Sequence, residues 1–559
     1  MTKISTAYFS MEIALRNDIP TFSGGLGVLA GDTIKSFADL AAPVVAVTLI
    51  YNNGYFRQTI NSAGQQKEAL AYWDPRQTMQ LLPQKLELCI DNHSVWIQVW
   101  QYEQVGITGH VVPVLFLDTN LMENYPEDRV ITQQLYSGDN NMRIRQEVVL
   151  GIGGAKMLDL LGYKNIKTYH MNEGHAAFLT FELLSRLNWQ DEAVRQRCVF
   201  TTHTPVPAGH DEFDYELVQR AMGAYTPWHI RDVAGHDRLN MTVLALNMSR
   251  YANGVAKKHG EVSRLMFPDF DIDSITNGVH SVTWTAPAFQ ALYDKYIPQW
   301  RQDPEKLAKA DKIPDAEIQT AHLAEKNKLL AYVKEKTGEN FAPEILTIGF
   351  ARRAATYKRG DLLFTDLKRL INICQGKVQF IFAGKAHPRD IPGKEVIQRI
   401  VNIAAKLRTE NKLKVVFLED YDMQLGALLT AGVDVWLNNP VRPREASGTS
   451  GMKAVHNAVP NFSVLDGWWI EGCVEDITGW AIGPQAAESD LIENNNDEDV
   501  QDLYYKLEKI LIPTYYNDHA KWTSIMKQAI VQNASVFNTH RMCKEYLQKS
   551  YLADPVTVA

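Results

Sequence analysis

Ile345-Leu346-Thr347-Ile348-Gly349-Phe350-Ala351-Arg352-Arg353-Ala354-Ala355-Thr356-Tyr357-Lys358-Arg359 starts as an apolar run and ends as a cluster of cations. The apolar part is too short for a helix, so Ile345–Phe350 is expected as a buried strand. The change to Arg352, Arg353, Lys358 and Arg359 puts charge just beyond that strand's carboxyl end. Open α/β sheets bind their ligands there. Guanidinium forks and an amine at that place suit phosphate, although a solvated helix face could carry the same residues.

The same alternation extends in both directions along the chain. Candidate strands in the first half are Val44–Tyr51, Val111–Asp118, Thr168–Met171, Cys198–Thr202 and Ser274–Thr276. In the second half they are Val378–Ala383, Val415–Leu418, Val433–Leu437 and Phe462–Leu465, with helices expected beyond about residue 500. Longer amphipathic stretches separate them, the pattern of parallel sheets covered by helices. The expected fold is α/β, two doubly wound Rossmann-like domains facing each other across a cleft and joined near residue 280.

Composition narrows the function classes. A chain of 559 residues has material for two or more cores, and a net charge of -8 argues against general nucleic-acid binding. Its five cysteines are scattered and odd in number, which excludes a disulfide framework and fits a reducing compartment. No stretch reads as a signal peptide or membrane helix. A soluble, cytoplasmic protein without membrane or nucleic-acid partners is expected.

Several further segments carry chemistry. Gly24-Gly25-Leu26-Gly27 opens an amphipathic helix, and amides at a helix start attract anions. A plain tight turn has the same composition. Asn172-Glu173-Gly174-His175 and Thr201-Thr202-His203-Thr204-Pro205 follow strands and suit hydrogen bonding to a polyhydroxylated ligand. Neither has metal-ligand spacing, so no metal is expected. Trp468-Trp469 and Tyr421 could stack on sugars or pack in a core. Glu445-Ala446-Ser447-Gly448-Thr449-Ser450-Gly451-Met452-Lys453 is a small-residue loop ending in an amine. It suits an aldehyde cofactor that carries a phosphate, and by spacing alone it also suits a glycine-rich turn with a solvated lysine.

Together with Tyr8–Glu12, Thr276–Gly278, Phe417–Tyr421 and Leu465–Gly467, these ordered motifs resemble the α-glucan (glycogen, starch or maltodextrin) phosphorylase family. The resemblance is to its compact prokaryotic type, without the N-terminal regulatory segment, so allosteric control is not expected. It implies a glycosyltransferase-B fold with domains 1–280 and 281–525, and C-terminal helices 526–559 crossing back to the first domain. It implies pyridoxal 5'-phosphate bound covalently to Lys453, with Thr449, Ser450, Arg352 and Gly25 also on the cofactor. Arg353, Lys358 and His175 are then expected as catalytic residues. Gly24, Leu26, Asn277, Tyr357, Tyr421, Glu445, Ser447 and Gly448 are expected around the substrates, an α-glucan or maltodextrin and inorganic phosphate.

The implied reaction is retaining phosphorolysis of terminal α-1,4-linked glucose to α-glucose 1-phosphate, with the cofactor's phosphate relaying the proton. A homodimer is a further expectation from the resemblance. Arg352 stands where the long enzymes have lysine, Ser23 and Gly451 where they have asparagine, and Ala355 where they have histidine. The competing readings are a glucan synthase using a nucleotide sugar, which needs no tethering lysine, and a catalytically inactive glucan-binding protein.

Overall fold

The computed structural model describes residues 4–484 and 496–551. Their contacts divide the chain into two compact units, one formed by Met1–Phe56, Leu70–Thr276 and Met542–Ala559, the other by Arg57–Ala69 and Asn277–Arg541. Both units are α/β.

The first unit is built on a nine-stranded sheet. Its strands are β1 (Thr6–Ser10), β2 (Val44–Leu49), β3 (Gln80–Ile90), β4 (His93–Val105), β5 (Val111–Asp118), β6 (Thr168–Asn172), β7 (Cys198–Thr201), β8 (Tyr251–Gly254) and β9 (Asp273–Ser274). The order across the sheet is β9-β8-β7-β6-β1-β2-β5-β4-β3, parallel except for β4 against β5 and β3. Side chains alternate between two cores. Phe9, Val45 and Val47 enter one, while Tyr8, Val44 and Ala46 enter the other, where Phe37 of the Gly25–Asp39 helix meets them. Ser10, Asn172 and Thr201 are in register at the strand ends, so the segments that follow β6 and β7 emerge side by side.

The second unit has a parallel six-stranded sheet. It comprises β10 (Leu346–Ala351), β11 (Val378–Ala383), β12 (Lys414–Leu418), β13 (Val435–Asn438), β14 (Asn461–Val464) and β15 (Gly479–Ile482), in the order β12-β11-β10-β13-β14-β15. The order reverses beside β10, and Ala351 is in register with Ala383, so Arg352 leaves the sheet at a switch point.

Some expectations need correction. The first sheet is mixed rather than parallel, because the β3–β4 hairpin was not read. Glu87 and Gln98 interrupt its apolar pattern, and β3 is mostly exposed or half-buried. β1, β8 and β15 are also additional, and the strand expected at Ser274–Thr276 is Asp273–Ser274. The first unit is not the contiguous span 1–280. The hairpin Arg57–Ile60/Gln66–Ala69 belongs to the second unit, where Gln58 Nε2 donates to Gly384 O at 2.8 Å and Gln66 Nε2 to Ala386 O at 2.9 Å.

At the C-terminus only the part from Met542 belongs to the first unit, against the expected 526–559; residues before it pack in the second. Tyr546 accounts for this by placing its hydroxyl 3.1 Å from Thr201 Oγ1, while Tyr551 reaches His170 Nδ1 at 2.5 Å. Buried polar ends of this kind need such partners. Among the described residues no helix is long and apolar enough to cross a membrane.

Candidate active site

In the second unit, the cations after β10 and the loop after β13 meet. Lys358 and Glu445 are both largely buried, and Lys358 Nζ donates to Glu445 Oε2 at 2.6 Å. Arg352 Nη2 donates to the same oxygen. Burial works against the ionised carboxyl, but the two cations hold it down to about 2. A single carboxylate between two buried cations leaves this cluster one positive charge in excess. An oxyanion is therefore already the accepted occupant of this position.

Asp466 supports Glu445 from the end of β14. Its Oδ2 accepts the Glu445 amide at 2.8 Å and its Oδ1 the Gly467 amide at 2.9 Å. Burial, reinforced by the charge of Glu445, pushes its own carboxyl up to about 7. Gly448 has φ of 85°, the left-handed region that favours glycine, and this turns the loop back past Glu445. Gly467 (φ 53°) also lies where a side chain could not, since a Cβ would sit 2.4 Å from Ser447 O.

The loop ends in the Ser450–Val455 helix, which carries Lys453 into the interior. Lys453 is 6% exposed, and its Nζ lies 3.6 Å from the centre of the Trp284 ring. An amine on an aromatic face is desolvated without being neutralised. The solvated-lysine reading of this loop is thereby excluded. Ser450 Oγ accepts from Trp436 Nε1 at 3.1 Å, and Thr449 is the residue preceding the helix. Ser447 Oγ and Arg352 Nε and Nη1 are buried polar atoms with no hydrogen-bond partner among the described residues. A buried amine, a hydroxyl and unused guanidinium donors fit a phosphate-bearing aldehyde such as pyridoxal phosphate.

The remaining residues of this half divide. Tyr357 lies under the Lys358 amine at 4.5 Å; burial would raise its hydroxyl, but Lys358 and Arg353 outweigh that and lower it. Arg353 itself is exposed, unlike Arg352. Tyr421 is half-buried, and burial pushes its hydroxyl up to about 12 despite nearby Arg352. Asn277 belongs to the second unit, with its Oδ1 buried and unpartnered. Trp468 and Trp469 are core residues, 2% and 1% exposed, and offer no sugar platform.

The first unit gathers Gly24, Gly25, Leu26 and His175. Gly24 is the capping residue of the Gly25–Asp39 helix, and a Cβ at Gly24 or Gly25 would meet nothing within 4 Å, so the helix start is open. Glu12 lies beneath it, accepting from Ser23 N at 2.5 Å and Gly24 N at 3.3 Å. Tyr136 donates to the same carboxylate at 2.9 Å, and its ring centre is 6.0 Å from that of His175. His203, expected from its segment to suit a polyhydroxylated ligand, is fixed by Asn172 Oδ1 at 2.7 Å; burial pushes its imidazole down to about 4.

Sequence reasoning thus missed Trp284 and Tyr136, and the parts played by Asp466 and Glu12. Trp284 lies outside every motif, and Asp466 and Glu12 were legible only as motif members. Tyr136 carried no signal, because the Glu12 contact spans 124 positions.

Residues 211–512 match the family model described as carbohydrate phosphorylase. The chain is 40% identical to the maltodextrin phosphorylase of Thermococcus litoralis, over 97% of this chain and 70% of that protein. It is 36% identical to the glycogen phosphorylase of Aquifex aeolicus, over 97% and 85% respectively. With the glycogen phosphorylase of Mycobacterium tuberculosis the identity is 35%, over 98% and 70%. A family match over more than half of the chain, and relatives aligned almost throughout it, agree with the cation cluster and the buried lysine: the chain belongs to the carbohydrate phosphorylase family.

Proposed function

We propose that this protein is an α-glucan phosphorylase, a hexosyltransferase that transfers the terminal glucose of an α-1,4-glucan to inorganic phosphate and releases α-glucose 1-phosphate. The observation that carries this reading is the Glu445 carboxylate held between buried Arg352 and Lys358, on the loop that buries Lys453 against Trp284. We assign the two Rossmann-like units to the glycosyltransferase-B arrangement.

Lys453 would hold pyridoxal phosphate covalently, with Thr449, Ser450, Ser447 and Arg352 around its polar groups. When bound, the cofactor supplies a fixed phosphate that takes and returns a proton. Arg353 and Lys358 bind the substrate phosphate, and the amides of Gly25 and Leu26 at the open helix start add positive potential, while that of Gly24 is held by Glu12. Two phosphate dianions about 5 Å apart repel by roughly 13 kcal/mol at an effective dielectric near 20. These cations and amides exist to offset that term.

Substrate phosphate then protonates the leaving glycosidic oxygen, and as that bond breaks the same phosphate attacks the sugar carbon from the same face, retaining configuration. Neutral His175, Asn277, Tyr421 and the Ser447–Gly448 turn orient the glucosyl hydroxyls. Glu445 exchanges its hold on the cations for a sugar hydroxyl when phosphate arrives.

The test is phosphorolysis of maltodextrin, read as glucose 1-phosphate, combined with borohydride reduction and peptide mapping. A pyridoxyl adduct on Lys453 with phosphate-dependent release supports the reading. An unmodified Lys453 with activity from a nucleotide sugar would replace it with the synthase.

A further inference from the structure

Behind His175, the first unit places two carboxylates that the reaction scheme above does not use, buried Glu147 and half-buried Asp211. Their ligand-type atoms lie within 4.8 Å of one another. Glu147 is fully buried, and among the described residues neither of its oxygens has a hydrogen-bond partner; the atoms Asp211 Oδ2 and His175 Nδ1 are likewise buried and unpartnered there. Among the described residues the cation paired with both carboxylates is Arg143, with its Nε 3.4 Å from Asp211 and 3.8 Å from Glu147. His175 Nε2 is 3.4 Å from Asp211 Oδ2.

Two carboxylates this close, in ionic contact with one guanidinium but not hydrogen-bonded to it through these oxygens, do not both remain ionised in such a place. One proton relieves the pair, because Glu147 then donates to Asp211 Oδ2 and the two carboxyls together carry one charge, matched by Arg143. A divalent cation would meet the Arg143 guanidinium already occupying that electrostatic role. We propose that Glu147 is a positioning residue held in its un-ionised form, sharing its proton with Asp211, and that this pair fixes neutral His175 with Nε2 toward Asp211.

The groups facing Glu147 are Arg143 on its own helix, and Asp211, His175, Glu173 and Tyr51 from other elements. Burial first, and then Asp211, raise the Glu147 carboxyl well above the usual range, while Arg143 acts against them. Burial also lowers the His175 imidazole. The effect on catalysis rests on the phosphorylase reading of His175; the protonation state does not.

Infrared difference spectra of the whole protein at neutral pH test it. The wild type minus Glu147→Gln difference is expected to show the C=O band of an un-ionised carboxylic acid, shifting in heavy water; the Asp466 carboxyl, common to both proteins, cancels. In Asp211→Asn the band's titration midpoint is expected to fall by about one pH unit or more, since the anion that raises it is gone. Glu147→Gln, which still donates to Asp211, is expected to exceed Glu147→Ala in phosphorolysis by about tenfold. Absence of the band from that difference overturns the proposal. Stoichiometric divalent metal in the purified protein, lost in Glu147→Gln, overturns it in favour of a metal site.

Discussion

The Glu445 carboxylate lies 2.6 Å from the Lys358 amine, so the second unit folds with an oxyanion in contact with the cation assigned to substrate phosphate. Substrate binding must therefore displace an internal ion pair rather than fill a purely cationic surface.

Lys358→Ala and Arg353→Ala are each expected to lower turnover at least about a hundredfold, the kinetic equivalent of ~3 kcal/mol of lost anion stabilisation. Circular dichroism should show the fold unchanged. The measurement is glucose 1-phosphate released from maltodextrin, and near-normal release by either variant defeats the phosphate assignment.

Glu445→Gln removes the anion but leaves Arg352 and Lys358 buried. Without ligand this is expected to cost roughly 3–5 kcal/mol of stability, because it uncovers buried charge. Inorganic phosphate should then raise the melting temperature of the variant more than that of the wild type, by mass action on the folded state. Equal phosphate shifts in the two proteins would separate Glu445 from the phosphate site.

The Asp466 carboxyl stands at about 7, well above its ordinary value. For a raised carboxyl the stability contribution is complete below the unfolded value near 4 and is lost as pH rises through the folded value. Wild type should therefore lose stability relative to Asp466→Asn between about pH 4 and 7, and run parallel to it above that range. Urea midpoints measured across this range check the sign; parallel curves throughout contradict it.

Asp499 is fully buried and accepts from Arg359 and from Arg442, each at 2.7 Å. Asp499→Leu leaves two guanidiniums without their carboxylate, and a loss of about 3–5 kcal/mol is expected. Guanidinium chloride unfolding followed by tryptophan fluorescence measures it. An unchanged midpoint would show that backbone carbonyls alone satisfy both arginines.

The strands that lead into the candidate site were legible because β7, β10 and β11 are largely apolar and β6, though it carries Thr168 and His170, is likewise buried on both faces; polar residues end or follow each of them. The hairpin of β3 and β4 was not, because its pairing is decided by neighbours across the sheet rather than by its own period. Gln58 and Gln66 were equally silent. Their amides are buried only because residues more than three hundred positions away supply the carbonyls.

The sequence by itself determined the family, the small-residue loop that ends in Lys453 and the cations after β10, since these are local patterns of residue type and order. Tertiary structure alone decided which charges meet: Lys358 with Glu445, Asp466 beneath Glu445, Trp284 against Lys453, and Glu147 against Asp211. Protonation states and ion-pair strengths depend on distance and burial. Those quantities exist only once segments remote in the chain have packed together.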